Sequence, residues 1–346
     1  MAIQRIGVLT GGGDCPGLNA VIRGIVRRGV EDHNLSVVGF RNGWQGVLEA
    51  ATVPLTIEST RGILHRGGTM LGTSRTDPIS IDGGVGRILD ALEVHRIDGL
   101  IVIGGEGTLS AATHLHRDHG IPIVGVPKTI DNDLGGTDYT IGFATALDIA
   151  TEAVDRLHST AESHNRVMVL EVMGRHAGWI ATYAGMAGGA DAILIPEQPF
   201  DIDKVCRHLK RRHGTGRTFS IVVVAEGAVP AAGTMELPDY DLDEFDRPVL
   251  GGLASHLGPI IEQRTGFSTR VTILGHVQRG GRPNAADRVL GSSMGVRACD
   301  FAQQQRWGTM TAMRGYSVVA VDLREATASL KQVPKEIYEV AQVFFG

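Results

Sequence analysis

The stretch Ile6-Gly-Val-Leu-Thr-Gly-Gly-Gly-Asp-Cys-Pro-Gly-Leu-Asn-Ala-Val-Ile-Arg-Gly-Ile-Val-Arg-Arg-Gly-Val30 decides the fold class. Its first five residues form a short, mostly apolar run. Glycines follow at Gly11-Gly-Gly13, and then Leu18, Val21, Ile22, Ile25 and Val26 recur at i, i+3, i+4, i+7 and i+8. That spacing marks one face of a helix. The stretch therefore reads as strand, glycine turn and helix, with the helix beginning just after Pro16-Gly17.

Working outward, Val/Ile-rich runs keep alternating with segments of helical period, which predicts an α/β chain with parallel sheet. Candidate strands are Ile6 to Thr10, Gly99 to Gly104, Ile121 to Val126, Val167 to Val172, Ala192 to Pro196, Ser220 to Ala225, Val271 to Gly275 and Ser317 to Val321. Several are apolar throughout, as strands buried on both faces should be. Phe143, Leu147, Ala150, Val154 and Leu157 mark a long amphipathic helix, near whose start we place a domain change. Its 346 residues exceed the usual span of one hydrophobic core. Ala228 to Pro259, with the acidic run Asp239 to Asp246, reads as a surface insertion, and Pro334 to Gly346 as a last helix.

The formal net charge of -5 gives no electrostatic argument for nucleic acid or an anionic membrane. No apolar run is long enough for a membrane span and none at the amino terminus resembles a signal peptide, so a soluble, cytoplasmic protein is expected. Cys15, Cys206 and Cys299 are odd in number and far apart, which suits reduced thiols. We read Cys15 as a packing residue.

Chemistry concentrates at the strand ends. Thr10-Gly-Gly-Gly-Asp14 offers backbone N–H groups and a helix start to an anion, although a plain strand-to-helix turn would look the same. Ile103-Gly-Gly-Glu-Gly-Thr-Leu109 repeats the placement with a carboxylate inside it. Beside a polyphosphate Glu106 is best explained by Mg2+; by itself it reads as an exposed turn acid. Thr129-Ile-Asp-Asn-Asp133 sets two carboxylates at i and i+2, which in an extended segment project to one side. One could accept a hydroxyl proton while the other orients it or binds metal; an Asp/Asn-rich turn before Gly135-Gly136 is the structural alternative. Arg75 and Arg175 follow glycine-containing stretches, and a guanidinium there suits phosphate oxygens. His276, Arg279 and Glu226, also at strand ends, could serve a hydroxyl-rich anionic substrate.

Taken in order, Gly-Gly-Asp after the first strand, Gly-Gly-Glu-Gly-Thr, Pro127-Lys-Thr-Ile-Asp-Asn-Asp133, Gly136-Thr-Asp-Tyr-Thr-Ile-Gly-Phe143, Met173-Gly-Arg175 and Gly275-His-Val-Gln-Arg-Gly-Gly281 closely resemble the 6-phosphofructokinase family, from Ile6 to about Gly295. The resemblance implies two Rossmann-like three-layer α/β/α domains with mostly parallel sheets and the active site between them. Residues 1–142 plus about 278–320 would form the donor domain, and 143–277 plus about 321–346 the sugar-phosphate domain.

It further implies that Asp131 takes the proton from the 1-hydroxyl of fructose 6-phosphate as this attacks the donor's terminal phosphoryl group. Arg175 and Arg75 would stabilise that group, Thr129 would contact it, and Asp133 would assist. Gly12, Arg75, Gly105, Glu106, Gly107 and Thr108 would hold the nucleotide, with Glu106 standing where the family more often has Asp as its magnesium residue. Met173, Gly174, Glu226, His276 and Arg279 fall on the sugar-phosphate site. Arg166 and Arg270 match positions that reach a neighbouring subunit's sugar phosphate, so a homotetramer or homodimer with shared active sites is expected.

Gly107 goes with ATP in this family, whereas Lys128 stands where pyrophosphate enzymes have lysine. The combination resembles the actinobacterial mixed group, and we expect ATP, because a carboxylate at Gly107 would be the element that repels a nucleotide. The alternatives are pyrophosphate, another ketose phosphate such as sedoheptulose 7-phosphate, given Arg282 where Ser or Thr is common, and a catalytically silent sugar-phosphate-binding subunit. Arg23, Arg27 and Asp191 match effector-site residues, but His158 replaces an arginine and the stretch near Gly216-Arg217 is poor in lysine. Effector control by ADP or phosphoenolpyruvate is left open.

Overall fold

The computed structural model describes residues 3–236 and 250–345. In chain order the elements run β1 (Arg5–Thr10), α1 (Leu18–Arg27), β2 (Ser36–Phe40), α2 (Trp44–Leu48), β3 (Thr52–Leu55), α3 (Gly84–Val94), β4 (Gly99–Gly104), α4 (Glu106–His119), β5 (Ile123–Thr129), β6 (Ile141–Gly142) and α5 (Phe143–His164). They continue with β7 (Val167–Val172), α6 (Trp179–Ala187), β8 (Ala192–Leu194), α7 (Ile202–Gly214), β9 (Ser220–Ala225), α8 (Leu253–Thr265) and β10 (Thr269–Ile273). The last are α9 (Ala285–Gln303), β11 (Thr309–Arg314), β12 (Ser317–Asp322), α10 (Leu323–Thr327) and α11 (Lys335–Val343).

Two compact units divide these elements. The first takes the residues up to Ile130, Leu134–Thr145 and Arg279–Leu330. The second takes Asp131–Asp133, Ala146–Gln278 and everything from Lys331 onward.

The first unit is built on a sheet ordered β12-β11-β5-β4-β1-β2-β3, with β6 paired to β5. Its central pairs are parallel, and only the edge pairs β2/β3 and β11/β12 are antiparallel. β4 is buried on both faces, as its run Leu-Ile-Val-Ile requires, and β5 is buried up to Lys128. Pro54 sits on the outermost strand, β3, where a missing N–H interrupts no ladder. Helices α1 and α9 approach closely because glycines stand at the crossing: a Cβ at Gly295 would fall 2.3 Å from the Val21 carbonyl oxygen.

In the second unit all pairs of the sheet β10-β7-β9-β8 are parallel. Val169, Val222 and Val224 of the sheet, Leu209 of α7 and Leu257 and Ile261 of α8 are fully buried in its core.

Some expectations change. β12 and α10 extend the first unit to Leu330, beyond the expected 320, because β12 pairs with β11 along its whole length. β2, β3 and β11 were not read from the sequence. β5 runs to Thr129 instead of ending at Val126, since Lys128 and Thr129 continue pairing with Ile141 and Gly142. β10 starts at Thr269 and ends at Ile273, and Gly275–Arg279 coils into a 3-10 turn. The stretch from Ala228 to Pro259 is not wholly a surface insertion: Ala228, Leu253, Ala254 and Leu257 are buried in the core of the second unit. The acidic run Asp239 to Asp246 lies outside the described residues.

Candidate active site

The order of strands in the first unit creates a switch point. From β1 the chain moves to β2 on one side, and later to β4 and β5 on the other. Open α/β sheets bind ligands at the carboxyl ends of the two strands flanking such a reversal. Here those ends carry Gly11-Gly-Gly13 and Gly105-Glu-Gly-Thr108.

The two turns are packed together by Thr108, which is 8% exposed. Its side chain leaves no room for a Cβ at Gly11 (2.7 Å) or Gly104 (2.4 Å), and the Trp44 indole N–H donates to its carbonyl at 3.3 Å. Thr108 thus builds the cradle from behind. Gly12, with φ +79°, takes a conformation that favours glycine; its N–H donates to the Ser74 carbonyl at 2.8 Å, and the Thr73 hydroxyl donates to its carbonyl. The Arg75 segment is thereby tied to the first glycine turn. Asn19, buried on α1, secures the same segment: its amide donates to the Arg66 and Gly67 carbonyls and its oxygen accepts from the Met70 N–H at 2.8 Å.

Two cations meet this turn. The Lys128 ammonium, on a residue only 3% exposed, donates to the Gly13 carbonyl. The Arg279 guanidinium lies where a Cβ at Gly13 would touch it at 3.2 Å. Arg279, expected beside His276 on the sugar side, is therefore placed in the first unit against the glycine turn. Glu106 opens α4, is exposed, and accepts from the Ser110 hydroxyl at 3.2 Å. Among the described residues no three His, Cys, Asp or Glu side chains cluster to hold a metal ion. One exposed carboxylate beside a phosphate cradle fits Mg2+, which characteristically keeps waters and takes phosphate oxygens as further ligands.

Asp131 follows β5 after one residue, Ile130. Of the two conformations considered for this segment the chain takes the turn: Asn132 has φ +52°, a left-handed conformation that asparagine tolerates. Asp131 is half-buried and Asp133 buried. Behind the strand tip, the Thr140 hydroxyl donates to the Thr129 carbonyl at 2.6 Å. β6 is anchored by Asp287 of α9, fully buried, whose carboxylate accepts from the Gly142 and Thr145 N–H groups at 2.8 Å and from the Thr145 hydroxyl.

In the second unit, Met173-Gly-Arg175 and Glu226 follow the paired strands β7 and β9. Arg175 is held at φ +50°, unusual for a side chain of its size, and its N–H donates to Glu226 Oε1 at 3.2 Å. His276 follows β10 and is exposed. Arg166 and Arg270 stand at the opposite, amino ends of β7 and β10. About 3.3 Å per residue along β7 puts roughly 23 Å between Arg166 and Met173, so this chain does not bring the pair into the same cluster.

Elsewhere, the carboxylate of Asp191 is engaged by Arg212 at 2.6 Å and by the Ile221 N–H at 2.8 Å; burial pushes its pKa up against both. The thiols are buried. Cys15 is driven well above the ordinary thiol range and Cys299 to about 12, which fits packing and not nucleophilic roles. No described helix is long and apolar enough to cross a membrane.

Sequence reasoning missed Asn19, Trp44, Thr73, Ser74 and Asp287. Of these only Asp287 carried a signal, since Asn284 with Asp287 three residues on is a helix-start pattern. Asn284 does cap α9, accepting from the Asp287 N–H at 2.9 Å, but the Asp287 carboxylate turns away to Gly142 and Thr145.

In the first unit, two glycine turns at a switch point, with the buried Lys128 and the partly buried Arg279 on them, define an α/β protein suited to grip a phosphorylated ligand. The comparisons with known proteins make the class specific. The Phosphofructokinase family model matches residues 5–302, and the chain belongs to that family. It is 56% identical to a pyrophosphate–fructose 6-phosphate 1-phosphotransferase of Streptomyces coelicolor, covering 99% of this chain and 100% of the relative. It is 54% identical to an ATP-dependent 6-phosphofructokinase of Mycobacterium tuberculosis, again over 99% and 100%. The solved phosphofructokinase of Saccharomyces cerevisiae superposes with a TM-score of 0.81 at 31% identity, over 99% of this chain; the chain spans about half, 46%, of that longer one.

Proposed function

We propose that this protein transfers the terminal phosphoryl group of ATP to the 1-hydroxyl of fructose 6-phosphate, giving fructose 1,6-bisphosphate and ADP. The observation that carries the reading is the switch-point crevice, where Gly12, Gly13, Lys128 and Arg279 surround an anion cradle and Asp131 follows on the strand that delivers Lys128. Backbone N–H groups and the two cations would bind the donor's phosphates. Mg2+, held by Glu106, would neutralise charge on them. Asp131 would accept the proton of the attacking hydroxyl, Asp133 would orient the turn, and Arg75 with Arg175 would meet charge on the transferring group. Met173, Gly174, Glu226 and His276 would hold the sugar phosphate. Arg166 and Arg270 would complete the sugar-phosphate site of a second copy, in a homodimer or homotetramer.

ATP is favoured by Gly107, beside which a Cβ would meet no heavy atom within 4 Å, so that space is left for the part of a nucleotide that a carboxylate would repel. The second reading, pyrophosphate as donor, is favoured by the buried Lys128 on the glycine turn and by the name of the Streptomyces relative. Purified protein supplied with fructose 6-phosphate, magnesium and either donor distinguishes them. Turnover with ATP is expected; product only from pyrophosphate would sink the ATP assignment, and binding without product from either would favour a sugar-phosphate sensor. Asp131→Ser should lower turnover by roughly 10²- to 10⁴-fold while both substrates still bind.

A further inference from the structure

The family match ends at residue 302, yet the chain continues into a segment that touches the turn carrying the proposed base. The Lys331 N–H donates to the Asp133 carbonyl at 2.7 Å. The carbonyl of the same residue accepts from the Trp179 indole N–H at 2.8 Å, and its ammonium lies 5.2 Å from the centre of the Trp179 ring. Two residues on, the Val333 N–H donates to Glu197 Oε1 at 2.9 Å. That oxygen also accepts from the Gly178 N–H at 2.9 Å, and Glu197 Oε2 accepts from it at 3.1 Å. Gly178 closes the loop Met173 to Gly178 that presents Arg175, and Trp179 is the first residue of α6.

We infer that Lys331–Val333 is a strap that fixes the Asp131–Asp133 turn against the Arg175 loop, with Trp179 and Glu197 as positioning residues for the base and the arginine. The strap is itself anchored. Val333 is 5% exposed, and α11, which follows it, is fastened by the Tyr338 hydroxyl donating to the Ile193 carbonyl at 2.7 Å. A backbone hydrogen bond to Asp133 constrains a turn whose Asn132 is already left-handed, and the Glu197 bonds constrain a loop whose Arg175 is left-handed too. Two such turns, each off the common backbone conformations, hold their relative placement only if something outside them fixes both. The segment 331–333 bonds to both sides of this arrangement, through Asp133, Trp179 and Glu197.

The inference rests on the proposed assignment of Asp131 and Arg175, and its test separates the two. Glu197→Ala and Trp179→Phe should each lower kcat about 10- to 100-fold, the range expected when reacting groups are misplaced by an ångström or less. KM for the donor, whose cradle lies in the first unit, should change by no more than about twofold. Glu197→Gln keeps Oε1 as acceptor for both N–H groups and should recover most of the lost turnover. In an Asp131→Ser background Glu197→Ala should cause a clearly smaller further loss, because the base is gone and only Arg175 remains to be misplaced.

Hydrogen exchange supplies a readout that needs no activity. Amides of residues 131–133 and 331–333 should exchange faster together in Glu197→Ala. If the wild type proves inactive toward fructose 6-phosphate, the functional reading fails while this coupled exchange still decides the strap. Wild-type kcat with only a lowered Tm, the same fold-loss in the Asp131→Ser background, or independent exchange of the two segments would each overturn it.

Discussion

Replacing Gly227 by alanine tests how closely Arg175 is aimed. Gly227 does not have a positive φ, so alanine is permitted there by the backbone, and any defect must come from the added methyl. That methyl would sit 1.8 Å from the Arg175 carbonyl oxygen and 3.0 Å from its carbonyl carbon, both backbone atoms that cannot swing aside. Carbon-to-oxygen contacts relax at about 3.3 to 3.6 Å, so the Arg175 loop must retreat by roughly 1.5 Å. The Arg175 N–H bond to Glu226, 3.2 Å long, has no slack to absorb this. A misplacement of about 1 Å can lower a rate some 10²-fold, so kcat for fructose 6-phosphate phosphorylation should fall about 100-fold, equivalent to ~2.7 kcal/mol of barrier. Steady-state kinetics at saturating donor measure this, with a thermal melt alongside. Gly214→Ala is the control: it lies at the end of α7 with nothing within 4 Å, and should leave kcat unchanged. Wild-type turnover in Gly227→Ala, with a wild-type melt, would refute the claim that the left-handed Arg175 loop is held at a fixed position.

Asp287→Asn should destabilise the first unit by about 1 to 3 kcal/mol, because one amide cannot replace a carboxylate accepting from two N–H groups and a hydroxyl; urea unfolding with an unchanged m-value measures it. Asp300 is buried, which raises its pKa, but hydrogen bonds from Arg28 at 2.6 Å and His33 at 2.9 Å outweigh that and set it below the usual carboxylate range. A lowered folded pKa stabilises above the unfolded value and is lost as pH falls through the folded one. Asp300→Asn should therefore melt lower than wild type at pH 7, the gap closing below about pH 4; melts across pH that ran parallel would contradict this. Gly107→Asp should reduce ATP turnover at least about tenfold while sparing any pyrophosphate turnover, read by offering the two donors separately.

The chain's own order of residues made much of this legible. The 3.6-residue period after Pro16-Gly17 and the apolar runs of β4, β9 and the first four residues of β7 specified buried parallel strands joined by helices, because those patterns allow few other ways to cover apolar surface. The glycine turns, Glu106, Asp131, Arg75 and Arg175 were readable as chemistry because ligands gather at strand ends in such folds. Short or half-buried strands were not: β2 holds five residues, β3 contains Pro54, and β11 mixes Thr, Met and Ala, so none carries a period.

What tertiary structure alone decided is which of these residues face one another. No spacing says that Arg279 reaches Gly13, that Asp287 holds Gly142 from 145 positions away, or that Arg166 stands a strand's length from Met173. Nor does it decide between the extended segment and the turn at Asp131-Asn-Asp133, or say that Lys331 would reach Asp133. Period and turn chemistry are local, set by a few neighbouring residues. Strand order, and with it the meeting of distant side chains, follows from how whole apolar faces pack against one another, which becomes fixed only when the chain has folded.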